Sequence, residues 1–545
     1  MDSVWQRPSV IMLFLLLTIA STLPLILEMG HVTRFQDSRM YLWSIWWWRD
    51  SIVGRFSNPF HTSHICYPNE LSLYFQNRAS LMMTLAIPLT FIFSVEWSYN
   101  IIVLASFVLT GYGTYLLCRH VTGNEYASIV GGSLFAFSAI RFHWVDLGWV
   151  NNLSCQWIPF YVLYLLKSMK DGGRMNNLLA GVFLAFTAMT QLEHLVYVTL
   201  ITAVVCAYSG VKAFRKTIPA FMVFLIVSSP VMIPTLMETF PPKYVNPLME
   251  EVVSDSADAL GLLIPAPDNP LFKKCVQGLY SRFKTTPYVR VSFAGYTTLA
   301  LAGYCIMKRR GRDTYLWATV AGLFYLLSLG PVVHVLGVET AIPGAYNIFR
   351  LLPAVGAMRF VNRFTLITQM GLAILAAMGF ARISEGMGSK RLIALTCIAL
   401  AFGLLESSSP VDMMKGYGKM GAYTVMNEGS VLHIPYRSND AMYVGVMHGR
   451  PLVNCFLPRK PIIYPEAGKI RALQPVLNRM QNPGRLRGYE NAGGDMRVLE
   501  GYDVRYVTVE KSYYKNGTED LKRLMDSMGA TILGEDDDIM VFGLP

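Results

Sequence analysis

Apolar runs too long for the interior of a soluble domain recur along this chain of 545 residues. Segments 99–118 and 218–237 each contain no charged side chain. A helix crossing a bilayer needs about 20 mostly apolar residues, and such a segment must satisfy its backbone groups internally. By that measure about 11 spans are expected: 9–27, 99–118, 126–140, 153–166, 178–190, 195–208, 218–237, 294–307, 315–329, 364–380 and 392–405. The charge content agrees. Only 15% of residues are charged and 53% are hydrophobic, against roughly 25% charged in soluble domains. A cytosolic enzyme, a disordered chain and a fibrous repeat are excluded. A membrane barrel would show short alternating segments instead. The expected fold class is a polytopic α-helical membrane protein with a small extracytoplasmic α/β domain.

Lys and Arg in short loops set orientation. Basic clusters at 119–120, 167–174, 212–216, 308–312 and 390–391 recur in every second loop, which predicts a multi-pass plasma-membrane protein with its N-terminus inside and its C-terminus outside. The net charge of +11 reflects that bias in part and implies no nucleic-acid partner. The first span ends on Leu25-Ile26-Leu27-Glu28 without a small-residue cleavage site and reads as a retained signal-anchor. Segment 81–95, short and carrying Pro88, is expected at the interface. The organisation is therefore a transmembrane region, 1–406, with outer loops 28–98, 238–293 and 331–362, and an outer α/β domain, 407–545, with β-like runs at 430–434, 504–509 and 539–542. The eight cysteines show no C-x-x-C spacing. A disulfide between Cys66 and Cys275 is conceivable, since both fall in outer loops.

Few charges lie outside the inner loops, and these are the candidates for chemistry. Asp37 follows the first span between Arg34 and Arg39. A carboxylate there can deprotonate a hydroxyl or hold a divalent cation; the alternative is a solvated loop acid. The tryptophan-rich run after it suits an interfacial helix. His143 and Asp146 are three apart and share a helical face. Glu193 and His194 sit between apolar spans, where polar groups are costly unless paired or wet. Arg359 and Arg363, four apart, could clamp a phosphate or snorkel to headgroups. No nucleotide-binding loop, serine-hydrolase elbow or zinc-protease motif occurs.

The order of these pieces resembles the GT-C superfamily of integral-membrane glycosyltransferases, in its prokaryotic, uncharacterised branch. The resemblance runs along nearly the whole chain. It is carried by Asp37 after the first span, by Asn58-Pro59-Phe60-His61 with Tyr67-Pro68-Asn69-Glu70-Leu71, by Gly131-Gly132-Ser133-Leu134-Phe135, by Arg359-Phe360-Val361-Asn362-Arg363-Phe364, and by His448-Gly449-Arg450-Pro451-Leu452-Val453-Asn454. It implies transfer of a sugar, hexosyl or pentosyl, from a polyprenyl-phosphate donor to a glycan, lipid or protein acceptor at the outer face, with inversion. Asp37 would be the base, with Asp146 and His143 orienting the acceptor. Arg359 and Arg363 would bind the donor phosphate, and Arg39, Glu193 and His194 would line the cavity. Asp37 and Asp146 could hold Mg or Mn. Gln36 and Ser38 flank Asp37, and Arg39 stands where many relatives have a second acid. That keeps two alternatives open: a lipid-linked saccharide flippase, or a non-catalytic envelope scaffold whose outer domain binds glycan.

Overall fold

The computed structural model describes residues 8–545 except 34, 36, 75, 77–78, 240–245, 284, 309–310, 415–420, 437–438, 456–466, 484–491 and 515–517. Arg34, Gln36, Arg309 and Arg310 thus lie outside the described residues, as does part of the outer loop 238–293. The chain is largely helical and membrane-embedded. Its span count is the first correction. Among the described residues four helices are long and apolar enough to cross a membrane: Val95–Thr122, Leu192–Ser209, Ile218–Glu238 and Val361–Ile383. They mark a multi-pass membrane protein, but they are far fewer than the eleven runs.

The reason lies in where the helices break. The first apolar run is divided at Thr22, giving Pro8–Ser21 and a short Leu23–Leu27 with a proline in its first turn. The run at 126–140 becomes Glu125–Ala136 and Ala139–Asp146. The run at 153–166 becomes Val150–Leu153 and Trp157–Asp171, the latter with 15 residues, or about 22 Å at 1.5 Å per residue against a core of about 30 Å. Tyr296–Lys308 has 13 residues and Arg312–Ser328 has 17. Ser389–Ser407 is longer but carries Lys390, Arg391 and Glu406 at its ends. Apolar content marks these segments as buried; it does not give them length.

Helix Thr365–Ile383 lies at the centre, packed by Tyr296–Lys308, Arg312–Ser328 and Glu125–Ala136. Small residues permit this. A Cβ added at Gly379 would stand 2.1 Å from the Leu301 carbonyl oxygen, so the two backbones touch directly, as small-residue membrane interfaces do.

The C-terminal part forms a four-stranded sheet in the order Ser430–Ile434, Val504–Glu510, Ile539–Gly543, Thr531–Glu535. The first pair is parallel and the others antiparallel. Helix Glu519–Ser527 buries Leu521, Leu524 and Met525, a one-sided stripe at helical spacing. They join a core with Leu432, Val507 and Phe542.

This region is stitched to the segment 28–98 that follows the first helices. Val32–Thr33 pairs antiparallel with Met413–Met414. Cys66 and Tyr67 donate backbone hydrogen bonds to Asn454 and Leu452, and Cys66 is disulfide-bonded to Cys455. The conceivable Cys66–Cys275 bridge is therefore not formed; Cys275 is a free, exposed thiol. The tryptophan-rich helix Asp37–Arg49 is also covered by protein. Trp43, Trp47 and Trp48 are buried, because helix Asn439–His448 packs across it.

Candidate active site

Asp37 is the first residue of helix Asp37–Arg49, where the helix dipole favours an anion. Its Oδ2 accepts a hydrogen bond from Trp149 Nε1 at 2.6 Å, and its Oδ1 accepts one from Asn439 Nδ2 at 2.9 Å. Burial pushes its pKa above the ordinary carboxylate value, against the opposing pull of those two donors and of the Arg363 charge. Two oxygens offer about four lone-pair sites, so an acceptor hydroxyl can still bind. Gly148, in the turn between Ala139–Asp146 and Val150–Leu153, presses that turn onto this helix start. Its φ is +72°, and a Cβ there would meet the Ser38 backbone nitrogen at 2.4 Å. Only glycine meets both demands, and Trp149, the next residue, is thereby carried to Asp37.

Arg363 stands on the other side of Trp149. Its guanidinium lies 4.4 Å from the Trp149 ring centroid and 4.3 Å from that of Phe360. Its Nη1 donates to both oxygens of Glu193, at 3.0 and 2.8 Å. The side chains are 7% and 6% exposed, so this is a buried, matched pair. The structure thus brings Asp37, Trp149, Arg363 and Glu193 into one chain of contacts. Around it are buried polar atoms without a partner among the described residues: both ring nitrogens of His194, Oε1 of Gln191 and the Tyr197 hydroxyl. Buried polar groups are rarely left so, and such a concentration is what a polar ligand or water would satisfy.

The remaining candidates are placed elsewhere. Arg359 and Arg363 do not form a fork. Residues Val361–Phe364 are a 3-10 turn, and Arg359 turns to Asp255, donating from Nε to Oδ2 at 2.8 Å while staying 42% exposed. Thr286 holds the other Asp255 oxygen at 2.5 Å. Arg39 is buried in an ion pair with Asp440, so it fastens helix Asp37–Arg49 to Asn439–His448 and is not available to line a cavity. His143 Nε2 lies 3.2 Å from the Tyr288 carbonyl oxygen, and burial lowers its pKa to about 4. Asp146 accepts from the Asp412 backbone N–H at 3.4 Å. Its pKa is raised, chiefly by burial and further by Asp268 and Asp412. Among the described residues neither shares a hydrogen bond or an ion pair with Asp37.

Asp37 and Asp146 share no hydrogen-bond partner among the described residues: Asp37 is held by Trp149 and Asn439, and Asp146 by the Asp412 backbone. Among the described residues no group of three or more His, Cys, Asp or Glu side chains comes together as a metal site.

Trp149 and Asn439, the two groups that hold Asp37, were not among the sequence candidates. Trp149 lies in a loop whose acid and histidine drew attention. Asn439 comes from 402 residues further on, and no local spacing points to it.

No protein-family model matches the sequence, and no curated protein matches it either. Solved structures do match in fold. An arabinofuranosyltransferase from mycobacteria, AftD, aligns over 99% of this chain at 13% identity with a TM-score of 0.59; the chain spans only 40% of that protein's length. The oligosaccharyltransferase of Archaeoglobus fulgidus in its apo form aligns over 93% of this chain and 70% of its own, at 13% identity and a TM-score of 0.53. ArnT from Cupriavidus metallidurans, bound to undecaprenyl phosphate, aligns over 97% of both chains, at 9% identity and a TM-score of 0.53.

Proposed function

From a chain with the fold of the GT-C membrane glycosyltransferases, we propose the transfer of a sugar from a polyprenyl-phosphate-linked donor to an acceptor hydroxyl, with inversion, at the outer face of the membrane. The observation that carries this reading is Asp37: a buried carboxylate at a helix start, held by two N–H donors, beside the Arg363–Glu193 pair and unpartnered polar groups. The ArnT structure with undecaprenyl phosphate supports the donor class.

In this mechanism Asp37 takes the acceptor proton as the acceptor oxygen forms its bond to the anomeric carbon. The bond from that carbon to the phosphate oxygen breaks on the opposite side, and the lipid phosphate leaves with the electron pair. A raised pKa makes Asp37 a stronger base than an exposed carboxylate. Arg359, paired with Asp255 through Nε but 42% exposed and beside the Phe360 ring that also flanks Arg363, offers its outer N–H groups to the leaving phosphate. Arg363 is a positioning residue: locked by Glu193, it supports the Trp149 ring, which aims Nε1 at Asp37. No step is assigned to a metal ion, to Asp146 or to His143.

The orientation belongs to the same proposal. Segments 32–33 and 413–414 are paired, and Cys66 bonds Cys455, so the first loop and the C-terminal sheet share one side. Disulfides persist in oxidising compartments, which supports an outer location for both and an N-terminus inside.

The test is sugar release from a polyprenyl-phosphate-linked donor by the reconstituted full chain. Wild-type turnover with an inverted product, abolished in Asp37→Asn, supports the reading. Equal turnover in both proteins, or a retained configuration, refutes it.

A further inference from the structure

A second cavity, of about 1390 Å³, lies between helices Trp157–Asp171 and Arg174–Thr190 and owes nothing to the site above. Its residues on the first helix are Trp157, Phe160, Tyr164, Lys167, Lys170 and Asp171, the first five forming a single stripe at helical spacing. From the second helix Phe183 and Phe186 close the wall. Phe160 stacks on Phe183 with centroids 5.0 Å apart, and Trp157 meets Phe186 at 5.1 Å. The cavity is therefore graded, aromatic at the Trp157 end and cationic at the other.

The cationic end is built from Lys167, Lys170 and Arg174, with His120 beside them and Asp171 the one carboxylate among the described lining residues. Arg174 opens a helix of 17 residues that has no acid in its first turn and no side-chain cap. A cation at that position opposes the helix dipole, so the backbone N–H groups and the guanidinium present positive charge together. Two buried polar groups also line the cavity without a partner among the described residues: Trp157 Nε1, on a side chain 9% exposed, and the Tyr164 hydroxyl, on one 2% exposed. An apolar trough with a phosphate-binding end and hydrogen-bonding groups in its wall matches an amphipathic anion.

Position decides which anion. From Trp157 to Lys170 the stripe runs about 20 Å, more than the roughly 15 Å of one leaflet's hydrocarbon, so an acyl chain fits along it. Gln191 and Glu193 follow the far end of Arg174–Thr190, so a phosphate at Arg174 sits a helix length of about 25 Å from the end that carries the Glu193–Arg363 pair, and it is not the reacting one. We propose that this groove binds a diacyl phospholipid with an anionic headgroup, drawn from the leaflet opposite the candidate active site.

The test is native mass spectrometry of the full chain, delipidated and re-exposed to phosphatidylglycerol or phosphatidylcholine of identical chains. Phosphatidylglycerol should be retained preferentially. Lys167→Gln, Lys170→Gln and Arg174→Gln should each weaken its retention about fivefold, and the triple variant should bind both lipids alike. Lys170 and Arg174 are exposed, so the single variants there keep the fold intact. Equal retention of the two lipids by the wild type would overturn the proposal. So would unchanged retention in the single variants, or displacement of phosphatidylglycerol by an equal concentration of polyprenyl phosphate. Each readout is binding, independent of sugar transfer.

Discussion

The two ends of helix Arg174–Thr190 treat charge in opposite ways. Beyond Thr190 the charges are matched by partners from distant segments: Arg363 by Glu193, Arg39 by Asp440, Arg359 by Asp255. Asp37 itself is held by neutral donors. Before Arg174, three cations border an apolar groove with one carboxylate between them. The first set is built of matched pairs, and the second is a cluster of one sign around an apolar groove. Buried pairs fix geometry before a substrate enters, which is what a catalytic base requires; a graded surface cluster selects by attraction and tolerates variation.

Four experiments would break or sharpen that contrast. The largest effect is expected at Asp37. Removing a general base costs about 10²–10⁴-fold in rate, so Asp37→Asn should lose that much turnover with little change in melting temperature. Next is the pair itself. Glu193→Gln leaves the Arg363 charge buried without its counter-charge and should destabilise by about 3–5 kcal/mol, read as the loss of folded protein in a denaturant titration. Equal damage from Lys170→Gln would erase the distinction between the two ends.

The disulfide ranks third. Cys66→Ser should cost about 2–4 kcal/mol, and Cys275→Ser nothing, as measured by thermal unfolding under oxidising conditions. The smallest effect is on pH dependence. Burial raises the Asp37 pKa above its ordinary value, so turnover should fall as the pH drops through that raised value. The folded state takes up this proton more readily than the unfolded chain, so the stability contributed by Asp37 grows on acidification. Trp149→Phe removes a donor that favours the carboxylate. It should move the acid limb of the rate profile to higher pH, and a limb that moved lower would refute the role given to Trp149.

Much of this molecule is legible in its sequence, but unevenly. The apolar runs marked nearly every helix, because burial in lipid and burial in protein require the same side chains. For that reason they overstated the spans. Val361–Ile383 and Ile218–Glu238 have similar hydropathy, 1.7 and 2.0, yet 94% of one window is buried and 17% of the other. The difference is written in Gly371, Ala373, Ala377 and Gly379, whose small size lets neighbours in, and hydropathy does not weigh size. At the site, Asp37, Glu193 and Arg363 stood out because charge is scarce in such a chain. Their pairing did not, because partners separated by 170 residues leave no periodic trace. Arg359 and Arg363 misled, since the i, i+4 rule holds on an α-helix and this segment is a 3-10 turn.

The stitching of the first loop to the C-terminal region gives the chain a timetable. Asp37 emerges early in synthesis, yet Asn439 reaches it only after 402 further residues, and Cys66 waits 389 for Cys455. Until then the carboxylate lacks one of its two donors and the helix behind it lacks its cover. A chain interrupted midway would insert its helices with an unfinished site. On the proposed reading competence is thus conferred last, by the segment that also locks the loop in place, and truncated products would reach the membrane inert.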